Sequence, residues 1–322
     1  MQEPVGVGIS GLFRAAPALR RRWTELAALM PAFHRVRAAP WLAGLPTAER
    51  VDAVVAQVAG GAVVQPFALL AHPGAAAALD VWPASVGGGE GPLVALVGPE
   101  SVDAAVDAAV AAGRRVAVAC PAMGEPIDPP AGGVWIDDAW AGEGGRGVFS
   151  LGLLAVARSR GADVTAGLRG AARMHQAVQD PLAGNAAWTL ARALRAAAVE
   201  LGRDRVVHLA GPELAAHAAW AARTQATVLS ATSSAVAPRP LPSHADVGDE
   251  DWLRAIVASR EVVVVLWQVG NVPSPVVEAL SGEGTPVLLV HLAANDAESR
   301  GAALSLWLSA LYVLAVLEQR IA

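Results

Sequence analysis

Short apolar runs alternate with longer alanine-rich stretches along most of this chain, a rhythm that predicts strands alternating with helices. The clearest runs are Leu93-Val-Ala-Leu-Val97, Arg115-Val-Ala-Val-Ala-Cys120, Gly133-Val-Trp-Ile136, Arg205-Val-Val-His-Leu-Ala210, 261–267 and 286–291. Helices are predicted between them at 100–112, 148–158, 165–178, 186–200, 213–223, 250–259 and 275–280. An apolar stretch over 62–70 opens the series, and the first 60 residues read as a helical arm with segments at 19–29 and 47–58. Repeated strand–helix–strand units imply parallel sheets covered by helices. The expected architecture is α/β: two consecutive open-sheet domains preceded by a helical N-terminal region.

The segment 302–318 is apolar enough to raise the question of a membrane, but Ser305, Ser309 and Tyr312 interrupt it, and a helix packed between domains or subunits accounts for it. A length of 322 residues with 54% hydrophobic residues supports two cores. The formal charge is -5, and no basic run exceeds Arg20-Arg21-Arg22, which argues against a nucleic-acid partner. All 24 basic residues are arginine. Lysine Schiff-base chemistry and a P-loop lysine are therefore excluded. Cys120 is the single cysteine, so no intrachain disulfide or cysteine-based zinc site is expected, and a reducing, cytoplasmic setting fits. The first residues lack a signal-peptide pattern.

Ligands of open parallel sheets bind beyond the carboxyl ends of strands, which directs attention to four loops. One holds Gly98 and Ser101 at a predicted helix start, suited to an anion, although Glu100, Ser101 and Asp103 also suit ordinary capping. A second, with His72 and Gly74, lets a phosphate or sugar approach the backbone, or serves as a plain turn. The third places Arg146 among glycines ahead of a helix, able to bind a phosphate or to remain a surface arginine. The fourth contains His244 and Asp246, a proton-moving pair or a solvated loop. No G-x-G-x-x-G spacing supports a dinucleotide, and neither cofactor nor metal is expected.

These segments resemble the sugar-isomerase (SIS) domain proteins, in particular the bifunctional phosphoglucose/phosphomannose isomerases and their TobH-like relatives, over about 63–320. Gly184-Asn185-Ala186-Ala187 resembles the opening of that family's second domain, and Trp220-Ala-Ala-Arg-Thr-Gln225 the helix leading to its catalytic glutamate. Pro240-Leu-Pro-Ser-His244-Ala-Asp246-Val247 resembles the segment with the catalytic histidine, and Gly145-Arg146-Gly147 the one whose arginine faces the sugar. The resemblance implies two flavodoxin-like three-layer SIS domains, at 62–182 and 183–322 after an N-terminal region of 1–61, and commonly a homodimer. It implies aldose–ketose isomerisation of glucose or mannose 6-phosphate, without a metal.

His244 and Asp246 are then the catalytic candidates; Arg146, His72, Gly74, Gly98 and Ser101 are the substrate-binding ones. The chain departs from the pattern where the family's glutamate falls, since Val228-Leu229-Ser230-Ala231 contains no carboxylate. The family's hydroxyl-rich phosphate loop falls on Val97–Val102, which carries Glu100, and the lysine expected near the C-terminus is absent. Two readings follow: a divergent phosphosugar isomerase, or a non-catalytic phosphosugar sensor or partner-regulating protein on the same scaffold.

Overall fold

A computed structural model describes residues 5–9, 44–71, 73–96, 104–120, 133–140, 144–179, 185–199, 201–230, 239–240, 248–270 and 275–317. Contacts divide the chain into two compact units, one of residues 38–168 and one of 1–37 with 169–322.

The 38–168 unit contains α1 (Ala48–Ala59), β2 (Ala68–Ala71), α2 (Pro73–Leu79), β3 (Leu93–Leu96), α3 (Ala104–Ala111), β4 (Val116–Cys120), β5 (Val134–Asp137), a 3₁₀ turn (Gly144–Phe149) and α4 (Leu151–Ser159). Its four described strands are all parallel, in the order β2-β3-β4-β5. One sheet face, with Leu93, Ala95, Val116 and Val118, packs on Val106 and Ala109 of α3. Helix α4 covers the alternate face so closely that a Cβ on Gly152 would lie 2.6 Å from Leu96 Cδ2 and 2.9 Å from Ala119 Cβ. Both faces are therefore covered, and the strands read as continuous apolar runs.

The second unit contains β1 (Val5–Ile9), most of α5 (Val164–Gln179), α6 (Ala186–Val199), β6 (Arg205–Ala210), a 3₁₀ turn (Pro212–Leu214), α7 (Ala215–Ser230), β7 (Arg239–Pro240), α8 (Glu250–Ala258), β8 (Val262–Val269), α9 (Pro275–Gly282), β9 (Val287–Leu292) and α10 (Ala297–Leu317). The order of the described strands is β1-β9-β8-β6-β7, of which β1 pairs antiparallel and the others parallel. The chain moves from β6 to β7 on one side and then to β8 on the other, the flavodoxin-like order with its switch point at β6/β8. Val207, Leu209, Val264, Leu266, Val287 and Leu289 pack on Ile256, Val277 and Leu280 from α8 and α9.

Several helices start at local caps. Thr47 accepts from Arg50 N, Asp163 from Ala166 N, Asn185 from Trp188 N, Asp249 from Trp252 N and Asp296 from Ser299 N.

Several described elements depart from the sequence expectation, α7 among them, since it runs on to Ser230 rather than ending near Arg223. Within the arm expected to be helical, Val5–Ile9 is a strand: its Val-Gly-Val-Gly alternation pairs with β9, from Val5↔Leu292 to Ile9↔Leu288. The strand expected over 62–70 starts only at Ala68, whose N–H donates to Pro92 O. Residues 62–65 are exposed, and Pro66 has no N–H to offer a ladder. The helix expected from Val148 starts instead at Leu151, because Ser150 turns its hydroxyl to Leu153 N and caps it there.

The apolar C-terminal stretch is α10, buried from Gly301 to Leu314 against α6, α7, β1 and β9 of its own unit. Among the described residues no helix is long and apolar enough to cross a membrane.

Candidate functional site

In the 38–168 unit the strand ends line up in register, Ala71 beside Leu96, Leu96 beside Ala119 and Ala119 beside Ile136. The segments with His72 and Gly98 therefore leave from neighbouring strands at the carboxyl edge. His72, Gly98 and Ser101 themselves lie outside the described residues. Gly74 is in the first turn of α2, and Arg146 is in the 3₁₀ turn Gly144–Phe149, with its side chain outside the described set.

At the same edge Asp138 follows β5 and is fully buried. Its Oδ1 accepts from Trp140 N at 3.0 Å; its Oδ2 accepts from Ser150 Oγ at 2.5 Å and Gly152 N at 3.0 Å. The carboxyl thus joins the end of β5 to the first turn of α4. Cys120 pairs in register with Asp137. Burial first, then the charges of Asp137 and Asp138, raise its thiol above the ordinary value, which disfavours the reactive thiolate.

Arginines occupy the opposite, amino edge. Arg114 donates through Nε and a terminal nitrogen to Gly91 O at 3.1 and 2.6 Å, and Arg160 does the same to Phe67 O at 3.1 and 2.9 Å. These guanidinium groups hold the loops that enter β3 and β2. They are structural ties, remote in the fold from the carboxyl edge.

In the second unit, His244 and Asp246 lie in 241–247, outside the described residues; the described flanks are the end of β7 at Pro240 and the Asp249 cap of α8. The described histidines of the core are a different pair. His208 on β6 is fully buried, and its Nδ1 accepts from Trp267 Nε1 at 3.1 Å. That bond fixes the tautomer: Nε2 carries the proton and donates to Gln225 Oε1 at 2.9 Å. Trp307 stands edge-on to the ring at 4.9 Å and donates its own Nε1–H to Ala221 O. Burial lowers the His208 pKa to about 4, against a smaller opposing effect of the Gln225 hydrogen bond. The imidazole is neutral with both nitrogens engaged, a core bolt between sheet and α7. Gln225, noted in sequence only as part of a family-like helix, is its partner.

His217 in the first turn of α7 is also fully buried, and among the described residues neither ring nitrogen has a hydrogen-bond partner. Burial and, secondarily, the nearby Arg300 charge lower its pKa to about 3. Arg300 is held by Asn295 Oδ1 at 3.1 and 2.6 Å and Glu213 O at 2.9 Å. Neither His208 nor His217 was distinguishable by sequence from an exposed histidine. Their burial depends on α7 and α10 meeting over the sheet.

Among the described residues no group of three or more His, Cys, Asp or Glu side chains is placed to hold a metal ion. No family model matches this chain. No curated protein matches it by sequence. Solved structures do match it across nearly its whole length. A glucose-6-phosphate isomerase shares the fold. That structure, from Chlamydia trachomatis, superposes with a TM-score of 0.62 at 10% identity, covering 98% of this chain and 84% of the other. A hypothetical protein from Thermus thermophilus gives 0.67 at 14% identity over 98% and 95%. A Salmonella typhimurium protein named for sugar binding gives 0.50 at 15% over 93% and 99%. At these identities the likeness establishes the α/β fold with its parallel sheets.

Proposed function

We propose that this chain is a phosphosugar-binding protein of the SIS type, related to the bifunctional phosphoglucose/phosphomannose isomerases and their TobH-like members. The observation that carries the reading is the full-length fold match to a glucose-6-phosphate isomerase, together with a second match to a protein named for sugar binding. The resemblance of the segments around Arg146 and His244 in the sequence supports the same reading. The ligand is a hexose 6-phosphate, with Arg146, His72, Gly74, Gly98 and Ser101 as its binding set, in a cytoplasmic homodimer.

Isomerisation needs a base to take a weakly acidic C–H proton and a group to stabilise the enediolate. His244 and Asp246 are the residues proposed for proton transfer. The absence of a carboxylate at 228–231 favours the second reading, a sensor or regulator that binds the sugar without turning it over.

Nuclear magnetic resonance in D₂O separates the two. Exchange of the C1 or C2 proton of glucose, mannose or fructose 6-phosphate, lost in His244→Ala, supports the isomerase. Saturable binding without exchange supports the sensor. Absence of both binding and exchange rejects the phosphosugar reading.

A further inference from the structure

The chain between β5 and α4 leaves the sheet at Asp138, runs through the 3₁₀ turn that carries Arg146, and returns at Ser150. Asp138 bonds both limbs of this excursion, Trp140 N on the outgoing side and Ser150 Oγ with Gly152 N on the returning side. Aromatic rings reinforce the same base. Trp140 meets Phe149 edge-on with centroids 5.6 Å apart, Phe149 meets Trp82 at 6.1 Å, and Trp82 Nε1 donates to Val148 O at 3.1 Å. All of these side chains are buried.

Capping accounts for only part of what Asp138 does: its Oδ2 takes the free Gly152 N in the first turn of α4, while its Oδ1 holds Trp140 N on the other limb. Ser150 already caps α4 through Leu153 N at 3.2 Å, and the three donors to Asp138 are uncharged, so a buried carboxyl is retained where an apolar group would avoid its desolvation. What Asp138 adds is a fixed distance between the two ends of the excursion. A binding group on a short loop holds its place only as well as the loop's base does.

We propose that Asp138 and Ser150 are positioning residues, which set the turn Gly144–Phe149 and thereby the placement of Arg146 against the ligand. This inference rests on the phosphosugar reading and names the part of the fold that tunes its affinity. Neither residue touches the sugar; both act through the backbone of the turn.

The test is calorimetric titration of the full chain with glucose 6-phosphate and with fructose 6-phosphate, alongside thermal melts. Ser150→Ala is expected to weaken binding about fivefold, the equivalent of one net hydrogen bond. Ser150→Thr, which keeps the hydroxyl, is expected to restore affinity. In the Arg146→Ala background, Ser150→Ala is expected to add no further loss, because the turn then has no guanidinium to place. If Ser150→Ala does not fold, Ser150→Gly, better tolerated at an N-cap, is titrated instead.

A lowered melting temperature with unchanged affinity, or losses that add in the double variant, overturns the proposal while leaving phosphosugar binding in place. Absence of any binding by the unmodified protein removes the phosphosugar reading and this inference with it.

Discussion

Acidification should destabilise the unit of 1–37 and 169–322 through two histidines. His208 and His217 are both fully buried, with pKa values lowered to about 4 and about 3, chiefly by burial. In the unfolded chain both titrate near the ordinary value of roughly 6.5. Below that pH the unfolded state therefore binds more protons than the folded state, and stability falls as pH falls, until the folded histidines themselves titrate. Between pH 7 and pH 5 each histidine removes about 2 kcal/mol, or about 4 kcal/mol together, a large share of the roughly 5–15 kcal/mol that holds a domain.

His217→Leu isolates half of this effect. Since the His217 ring nitrogens have no partners among the described residues, the replacement removes desolvated polar atoms without orphaning any of those described. Stability at pH 7 should be unchanged or higher, and the loss between pH 7 and pH 5 should shrink by about 2 kcal/mol. Urea unfolding followed by the fluorescence of the ten tryptophans measures both quantities, and the difference between the two proteins cancels the titration of every other group. An acid loss identical in the two proteins, or a large destabilisation of His217→Leu at pH 7, would refute the reasoning.

Two further outcomes follow from close contacts and from charge. Gly152→Ala sets a methyl group against Leu96 and Ala119, and Gly170→Ala drives one into the backbone carbonyl of Glu298, so each should lower stability by about 1–3 kcal/mol in denaturant titrations. Gly170→Ala should be the worse, since a carbonyl cannot swing aside as a leucine methyl can. Cys120, its thiol pKa raised by burial and by Asp137 and Asp138, should alkylate with iodoacetamide at pH 7.5 more slowly than a free thiol peptide. A rate equal to the peptide's would contradict that electrostatic account.

The candidate site was legible in sequence only at the level of segments. Strand ends following apolar runs mark the carboxyl edge, and small residues or a histidine after them mark loops suited to a ligand. Asp138 was not legible, because an acid after Trp-Ile-Asp looks like an exposed strand end; its role exists only once α4 returns to place Ser150 and Gly152 against it. His208 was equally silent within Val-Val-His-Leu-Ala, since its partners Gln225 and Trp267 lie 17 and 59 residues away.

Sequence by itself determined the elements whose causes are local. The parallel strands are apolar on both faces because both faces are covered, and the helices start where Thr47, Asp163, Asn185, Asp249 and Asp296 bind their own first turns. Tertiary structure alone decided what depends on partners distant in the chain. It moved Val5–Ile9 from an expected helical arm to the edge of the second sheet, where β9 supplies the hydrogen bonds that a five-residue strand cannot make alone. It also settled the apolar C-terminal stretch, which hydropathy leaves open between bilayer and core, by surrounding it with α6, α7, β1 and β9. Periodicity reports how much surface an element must bury; only the assembled fold supplies the surface that buries it.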